Sequence, residues 1–299
     1  MAMTDDESRE LRNSIFATKS ALEGGQMVGP GGIPLQNASQ TARKDLGFEL
    51  PVASVPLPSR GLVYSDGPLH LAENIDIKSM TAKEEDILMN RTLVRKGTVI
   101  TELLKSCVLD KSIDVNSLIS GDRNALMVAV RITGYGAEYA PKVTCPSCDT
   151  QQDFSLDLQS LPIKELDLQK LKQAAPGHNA FEVDLPVSKK TVIFKFLTGK
   201  EEERMLQDME AKRKKGIVQE NLVTTKLMFS IIAIDGSTDR SFINQFCQYM
   251  PAKDSLTLRK ILTDNEPGID MTSEFVCNGC GHQEVMNVPL GAEFFWPNK

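Results

Sequence analysis

The chain has 299 residues, 41% of them hydrophobic and 25% charged, which is the balance of a globular protein with one large domain or two small ones. No apolar run approaches the roughly 18 residues of a membrane-spanning helix, and the N-terminus lacks a signal peptide, so we expect synthesis in the cytoplasm and no membrane partner. A net charge of -6 gives no reason to expect nucleic acid as the main partner. With three histidines, an acid–base enzyme is less expected than a scaffold.

Residues 1–50 differ from the rest of the chain. Between Gly24 and Pro34, five glycines and two prolines occupy seven of eleven positions, and Ser, Thr, Gln and Asn dominate around them. The segment has no GK[ST] sequence and no preceding apolar strand, so a phosphate-binding loop is not indicated. We expect an extended or disordered arm that is held, if at all, by something outside the main core.

Residues 51–140 have the pattern of a β-hairpin followed by helices. Alternating apolar residues predict a small hairpin around Glu73 and Asn74, formed by Leu69, Leu71, Ile75 and Ile77. Three helices follow. The first opens with a capping box at Thr81 and Glu84, the second runs from about Thr98 to Leu109, and the third has Asp122 as its N-cap.

Residues 161–270 form a predicted hairpin and helical subdomain. The hairpin comprises residues 181–185 and 192–196. A long helix opens with a second capping box, Thr198 and Glu201, and ends in the basic run 212–215, which matches the helix dipole. Further helices are expected over 222–234, 241–250 and 254–262. Cys107 and Cys247 lie on apolar helix faces, which predicts buried thiols.

The remaining four cysteines form two CxxC pairs, Cys145 with Cys148 and Cys277 with Cys280. Four thiolates suit a tetrahedral structural Zn²⁺, and a CxxC turn brings two sulfurs to one ion. The flanking residues repeat as well, which places each pair between two short strands. The sequence therefore predicts one split four-cysteine zinc ribbon, residues 141–160 and 271–292, interrupted by 128 residues between Cys148 and Cys277.

Two rival chemistries compete with structural zinc for these cysteines. A redox CPSC site needs its first cysteine at a helix N-terminus, whereas residues 151–158 have the pattern of a strand. A catalytic zinc needs an open coordination position, which four thiolates do not leave. His282 and Glu284 resemble the HxE of zinc deaminases but follow the CPSC pair, so His282 is predicted to be a turn residue. The sequence has no HExxH, GxSxG or Walker A motif, and we expect no enzymatic activity and no small-molecule substrate.

Three aromatics, Phe294, Phe295 and Trp296, lie among the last six residues. Such an apolar end is not expected to sit in water. Residues 293–299 therefore either fold back on the chain's own core or anchor in a neighbouring subunit. We treat the three aromatics as candidate partner-binding residues.

Several segments together resemble a known family. VPLPSRGLVY, MTAKEEDIL, KGTVITELLKSCV, ISGDRNALMVAVRITGYG and VTCPSC are similar to baseplate hub proteins of T4-like contractile-tailed bacteriophages, and so are the later MPAKDSLTLRK, DMTSEFVCNGCGH and VPLGAEFFWP. The resemblance covers Val55 to Pro297. It implies a virion structural or assembly protein of the tail baseplate without catalytic residues.

The sequence thus predicts an α+β fold: a mostly helical body with short hairpins, a split zinc ribbon and an extended N-terminal arm. The favoured function is a hub or hub-proximal baseplate component in a symmetric assembly, which binds hub, wedge or tail-tube proteins through its arm and C-terminus. The alternative is a zinc-ribbon adaptor for nucleic acid or transcription machinery. That alternative predicts a basic face near the cysteines, where the sequence instead has mostly acidic residues.

Overall fold

The computed structural model of the protein describes residues 48–214, 222–288 and 292–296. It contains eight helices in that part of the chain: α1 Ala82–Met89, α2 Arg91–Lys96, α3 Val99–Cys107, α4 Ser120–Tyr135, α5 Gly199–Lys214, α6 Leu222–Ser230, α7 Arg240–Tyr249 and α8 Ala252–Asn265. Three 3-10 turns cover Gly67–Leu69, Leu158–Ser160 and Ala292–Phe295.

The strands are short. They are β1 Val52–Pro56, β2 Asn74–Lys78, β3 Glu138–Tyr139, β4 Lys142–Thr144, β5 Gln151–Asp153, β6 Leu156–Asp157, β7 Ile163–Lys164, β8 Lys172–Gln173, β9 Phe181–Asp184, β10 Thr191–Phe194, β11 Ile231–Ile234, β12 Gly268–Ile269, β13 Thr272–Val276 and β14 Gln283–Asn287. This mixture of helices and antiparallel strands confirms the α+β class.

The first predicted hairpin is wrong in its pairing. Strand β2 pairs antiparallel with the upstream β1, with Val55 opposite Ile75, and not with the segment around Leu69. Leu69 ends a 3-10 turn, and Leu71 has a left-handed backbone with φ +54°. A residue in the left-handed region interrupts the extended conformation that a strand needs. Strand β2 therefore pairs with β1, which lies further away in the sequence.

The third helix begins earlier than predicted, because Asp122 is not its N-cap. Helix α4 starts at Ser120, and Asp122 is a fully buried residue of the first turn. Its carboxylate accepts bonds from the Ser59 amide at 2.9 Å, the Ser59 hydroxyl at 2.5 Å and the Tyr64 hydroxyl at 2.6 Å. Asp122 therefore ties the turn after β1 to α4. The capping box at Thr81 and the helix that follows Thr98 are confirmed.

A four-stranded antiparallel sheet has the order β11-β10-β9-β8. The predicted hairpin β9–β10 is confirmed, with Phe181 opposite Phe194. The predicted helix over 222–234 is wrong in its second half, since α6 ends at Ser230 and β11 follows. Residues 231–234 are an apolar run that pairs with β10, and a short run of this kind fits either element by periodicity alone.

The remaining helix predictions hold where the chain is described. Helices α7 and α8 match the expected segments within a few residues. The amide of Thr198 donates to Glu201 at 2.9 Å at the start of α5. Lys215, the last residue of the predicted basic run 212–215, lies outside the described residues.

One large apolar core joins the sheet to the helices, and a small second cluster lies between the CxxC pairs. Cys107 and Cys247 are buried in the large core, as predicted. Burial raises the pKa of the Cys107 thiol to about 12 and that of Cys247 to about 11, so neither is a ready nucleophile.

No helix in the described residues is long and apolar enough to span a membrane. The predicted arm, residues 1–50, lies almost wholly outside the described part of the chain. The division into an N-terminal domain, a split ribbon and an inserted subdomain stays a prediction.

Candidate metal centre

The first cysteine pair lies in a tight turn between β4 and β5, whose register places Thr144 opposite Gln151. The amide of Cys145 donates to the carbonyl of Thr150 at 2.9 Å, and the amide of Asp149 donates to the carbonyl of Cys145 at 3.0 Å. The amide of Ser147 points at the Cys145 sulfur, 3.4 Å away. An amide aimed at a cysteine sulfur is the arrangement that stabilises a thiolate.

The second pair repeats this geometry between β13 and β14. The amide of Cys277 donates to His282 at 2.9 Å, that of Gly281 to Cys277 at 2.9 Å, and that of Gly279 approaches the Cys277 sulfur at 3.3 Å. The residue after the second cysteine has a left-handed backbone in both turns, with φ +56° at Asp149 and φ +73° at Gly281. The pseudo-repeat in the sequence is therefore a repeat of backbone structure.

The two turns face each other and bring all four sulfurs within 4.8 Å of one another. The sulfurs of Cys145 and Cys280 are 3.8 Å apart, and those of Cys148 and Cys277 are 3.5 Å apart. These separations are too long for a disulfide. Four sulfurs at about 2.3 Å from a central Zn²⁺ would lie about 3.8 Å from each other. The cysteine set thus fits a tetrahedral metal ion.

Burial alternates within the site. Cys145 and Cys277 are buried beneath the turns, whereas Cys148 and Cys280 are exposed. Hydrogen bonding to Thr150 lowers the pKa of the Cys148 thiol to about 6. For Cys280, a backbone bond at His282 favours the thiolate, but the neighbouring sulfurs outweigh it and raise the pKa to about 11. These shifts favour a thiolate at Cys148 over one at Cys280, and a metal ion requires thiolates as ligands.

The strand that follows the CPSC pair argues against a thioredoxin-like redox site. In such a site the first cysteine lies at a helix N-terminus, whereas Cys145 follows β4 and β5 follows the turn. The His282 backbone closes the second turn, and its ring lies 3.6 Å from Glu284.

Gln152, which no sequence motif marks, joins the two turns. Its side-chain amide donates to the Val276 carbonyl at 2.9 Å, and its oxygen accepts from the Asn278 amide at 2.8 Å. At Gly279 an added Cβ would lie 2.8 Å from the Thr150 hydroxyl oxygen, so the turns approach closely there as well. The residues that join the two turns are distant in the sequence. Their contact forms only in the folded chain, so the spacing of residues does not predict it.

The C-terminal aromatics lie away from this site. Phe294 and Phe295 are buried in the chain's own core, and the ring of Phe294 meets Tyr139 edge-on at 5.0 Å. Arg131, also buried, donates to the Phe294 carbonyl at 3.2 Å. Trp296 is half-buried. The fold-back alternative therefore describes Phe294 and Phe295, and a contact of this segment with a neighbouring subunit stays a prediction.

The comparison with protein families gives one result. A family model described as T4 bacteriophage base plate protein matches residues 65–296, which is most of the chain and includes both cysteine pairs and the C-terminal aromatics. No curated protein and no solved structure is significantly similar to the chain. Because the match covers well over half of the sequence, the chain belongs to the T4 bacteriophage base plate protein family.

Proposed function

We propose that the protein is a structural component of the phage tail baseplate, located at or next to the hub, which binds neighbouring baseplate proteins. The family match over residues 65–296 carries this proposal, because a baseplate family implies a location in the virion tail and contacts with other tail proteins. Structural baseplate families are generally non-enzymatic. The placement at the hub rests on the resemblance of segments such as VPLPSRGLVY to hub proteins.

The location is tested in purified tails. A conditional null of the gene is complemented with tagged protein, and chemical cross-linking with mass spectrometry then identifies its neighbours. Cross-links to tail-tube and hub proteins are expected. Cross-links confined to peripheral wedge proteins would contradict the hub placement, and absence of the chain from both tails and assembly intermediates would contradict the baseplate role.

We also propose that Cys145, Cys148, Cys277 and Cys280 hold one structural Zn²⁺. The ion would supply a cross-link between two turns that lie 128 residues apart in the sequence. The protein supplies four sulfurs at compatible separations, amides aimed at two of them, and the Gln152 bridge between the turns. With all four cysteines as ligands, such an ion would have no open position for a substrate.

Elemental analysis of purified protein is expected to give one zinc per chain. Strong chelation should lower the thermal midpoint, and Zn²⁺ but not Mg²⁺ should restore it, because thiolates select the softer ion. A Cys247→Ser variant is the control, since that thiol lies in the core and away from the site. A fully folded protein without bound metal would refute the zinc proposal.

No observation in the described residues favours the nucleic-acid adaptor. The exposed charges around the two turns are mainly carboxylates, with Lys142 as the nearby cation. We expect the protein not to bind DNA at low salt. Salt-dependent DNA binding would instead support the nucleic-acid adaptor.

A further inference from the structure

The β13–β14 hairpin has two outer edges, and hydrogen bonds at both ends fix which backbone groups face outward. The Cys277 amide donates to His282, and the Val288 amide donates to Met271 at 3.0 Å. Backbone groups alternate sides along an antiparallel strand. In β14, therefore, Gln283, Val285 and Asn287 turn their N–H and C=O groups away from β13.

One of the two edges is occupied. Gln152 bonds the outward carbonyl of Val276 and the outward amide of Asn278, so its side chain takes the place of a neighbouring strand beside β13. Along β14, no hydrogen bond within residues 48–214, 222–288 and 292–296 engages the outward backbone groups of Gln283, Val285 or Asn287. An open strand edge of this kind is a template for an added strand.

The side chains of β14 define which strand would fit. Val285 is 64% exposed on one face, and Glu284 is exposed on the other. The two ribbon segments, residues 142–157 and 272–287, expose five carboxylates against one lysine, and no Lys or Arg in the described part of the chain pairs with them. The carboxylates are Asp149, Asp153, Asp157, Glu274 and Glu284. The β13–β14 hairpin itself carries two of them, Glu274 and Glu284, and no lysine or arginine, so it attracts a basic segment and repels an acidic one.

We propose that β14 docks an extended basic segment of a neighbouring baseplate protein as an added strand. The inference rests on the proposed baseplate function and assigns one of its contacts. Backbone bonds to Gln283, Val285 and Asn287 give affinity, an apolar side chain packs beside Val285, and a lysine or arginine pairs with Glu284.

A peptide titration tests the chemistry of the occupant. The probe is a fluorescent Lys-Val-Lys-Val-Lys-Val-Lys peptide, and Glu-Val-Glu-Val-Glu-Val-Glu is its control; binding to the full zinc-loaded chain is followed by anisotropy at low and high salt. Val285→Pro removes one outward N–H without touching the internal ladder, since proline is tolerated at such edge positions. It should weaken binding of the basic peptide about tenfold. Equal binding by Val285→Pro, or equal binding of the acidic peptide, would overturn the proposal.

A second pair of variants guards against misfolding of the proline variant. Val285→Lys places a positive charge on the open edge, whereas Val276→Lys places the same charge on the strand whose edge Gln152 already occupies. Val285→Lys should bind the basic peptide several-fold less tightly than Val276→Lys. Equal affinities of two folded variants would contradict docking at β14.

Assembly separates this inference from the proposed function. In purified tails, a photo-cross-linker at position 285 should capture a basic extended segment of another protein. Docking of another protein at β14 would be overturned if the cross-linker captured a second copy of this chain or another segment of the same chain. Normal incorporation of folded Val285→Pro into tails would overturn it as well. Each of these results would leave the baseplate role intact. Absence of the wild-type chain from tails and intermediates would instead remove the baseplate role itself.

Discussion

Phe294 offers a direct test of whether the C-terminal aromatics stabilise the chain itself. Its side chain is 1% exposed, and its ring contacts Tyr139 at 5.0 Å and Phe295 at 5.4 Å between centroids. Truncation of a buried Phe to Ala costs about 3 to 5 kcal/mol, of which two aromatic pairs account for about 1 to 3 kcal/mol. Phe294→Ala should therefore destabilise the isolated chain by about 4 kcal/mol.

The loss is measured by thermal unfolding, followed by circular dichroism and by the fluorescence of Trp296, the single tryptophan. A change of about 4 kcal/mol corresponds to a fall of about 10 °C in the midpoint for a chain of this size. Phe242→Ala is the matched control, because that ring is 38% exposed on α7 and its loss should cost about 1 kcal/mol or less.

An unchanged midpoint in Phe294→Ala would refute burial in the chain's own core and would favour an anchor in a neighbour. The two aromatics would have different roles if Phe294→Ala were destabilised while Trp296→Ala stayed stable but was absent from tails. Phe294 would then belong to the core, and the half-buried Trp296 would face a partner.

Three further outcomes are expected. Gln152→Ala removes both hydrogen bonds that this side chain makes between the turns. The Co²⁺-loaded variant should keep its thiolate absorption but lose the metal to a competing chelator about tenfold more readily. An unchanged rate of metal loss would show that Gln152 does not support the site. Burial raises the pKa of Glu84, but hydrogen bonds from Lys78 and other donors outweigh burial and lower the pKa to about 2. The stabilisation that ionised Glu84 contributes is therefore present above pH 4.5 and lost as the pH falls towards 2. Urea unfolding from pH 7 to pH 3 should show this loss, and Glu84→Gln should flatten it while costing about 3 kcal/mol at pH 7; a parallel pH curve would contradict the assignment. Gly121→Ala would place a Cβ 1.7 Å from the Pro267 carbonyl oxygen and should cost at least about 3 kcal/mol. Gly134→Ala on the same helix would come too close only to the terminal methyl carbon of Met80, at 2.8 Å, and the end of a flexible side chain can shift, so this control should be nearly neutral. Equal thermal midpoints of the two variants would rule out a rigid contact at Gly121.

The sequence predicted local features well and distant pairings poorly. The CxxC spacing and its flanking repeat predicted both turns and their strands, because those contacts lie within about ten residues. The capping box at Thr81 is likewise a local signal. The partner of Ile75 was missed because Val55 lies twenty residues away, with a turn and a 3-10 segment between them.

Two other errors have the same physical origin. Asp122 has the chemistry of an N-cap, yet a carboxylate that finds Ser59 and Tyr64 in the folded chain is satisfied in the interior instead. Residues 231–234 have no periodicity that separates strand from helix, and pairing with β10 decides between the two. Gln152 carries no local motif at all, so its role in the site follows from the fold alone.

The protein contacts around β12 explain how the second turn returns to the first without relying on metal. Strand β12 pairs with β7, which follows the first turn, and places Gly268 opposite Lys164. Helix α4 packs against the same strand at Gly121, where any side chain would overlap the Pro267 carbonyl. Strand β13 begins three residues after Ile269, so these contacts hold its start near the first turn. A metal ion would then join two nearly positioned turns and would not have to close a 128-residue loop by itself. On this argument, metal loss should loosen the ribbon and the β14 edge first and leave the large core folded, which is the order that hydrogen exchange resolves.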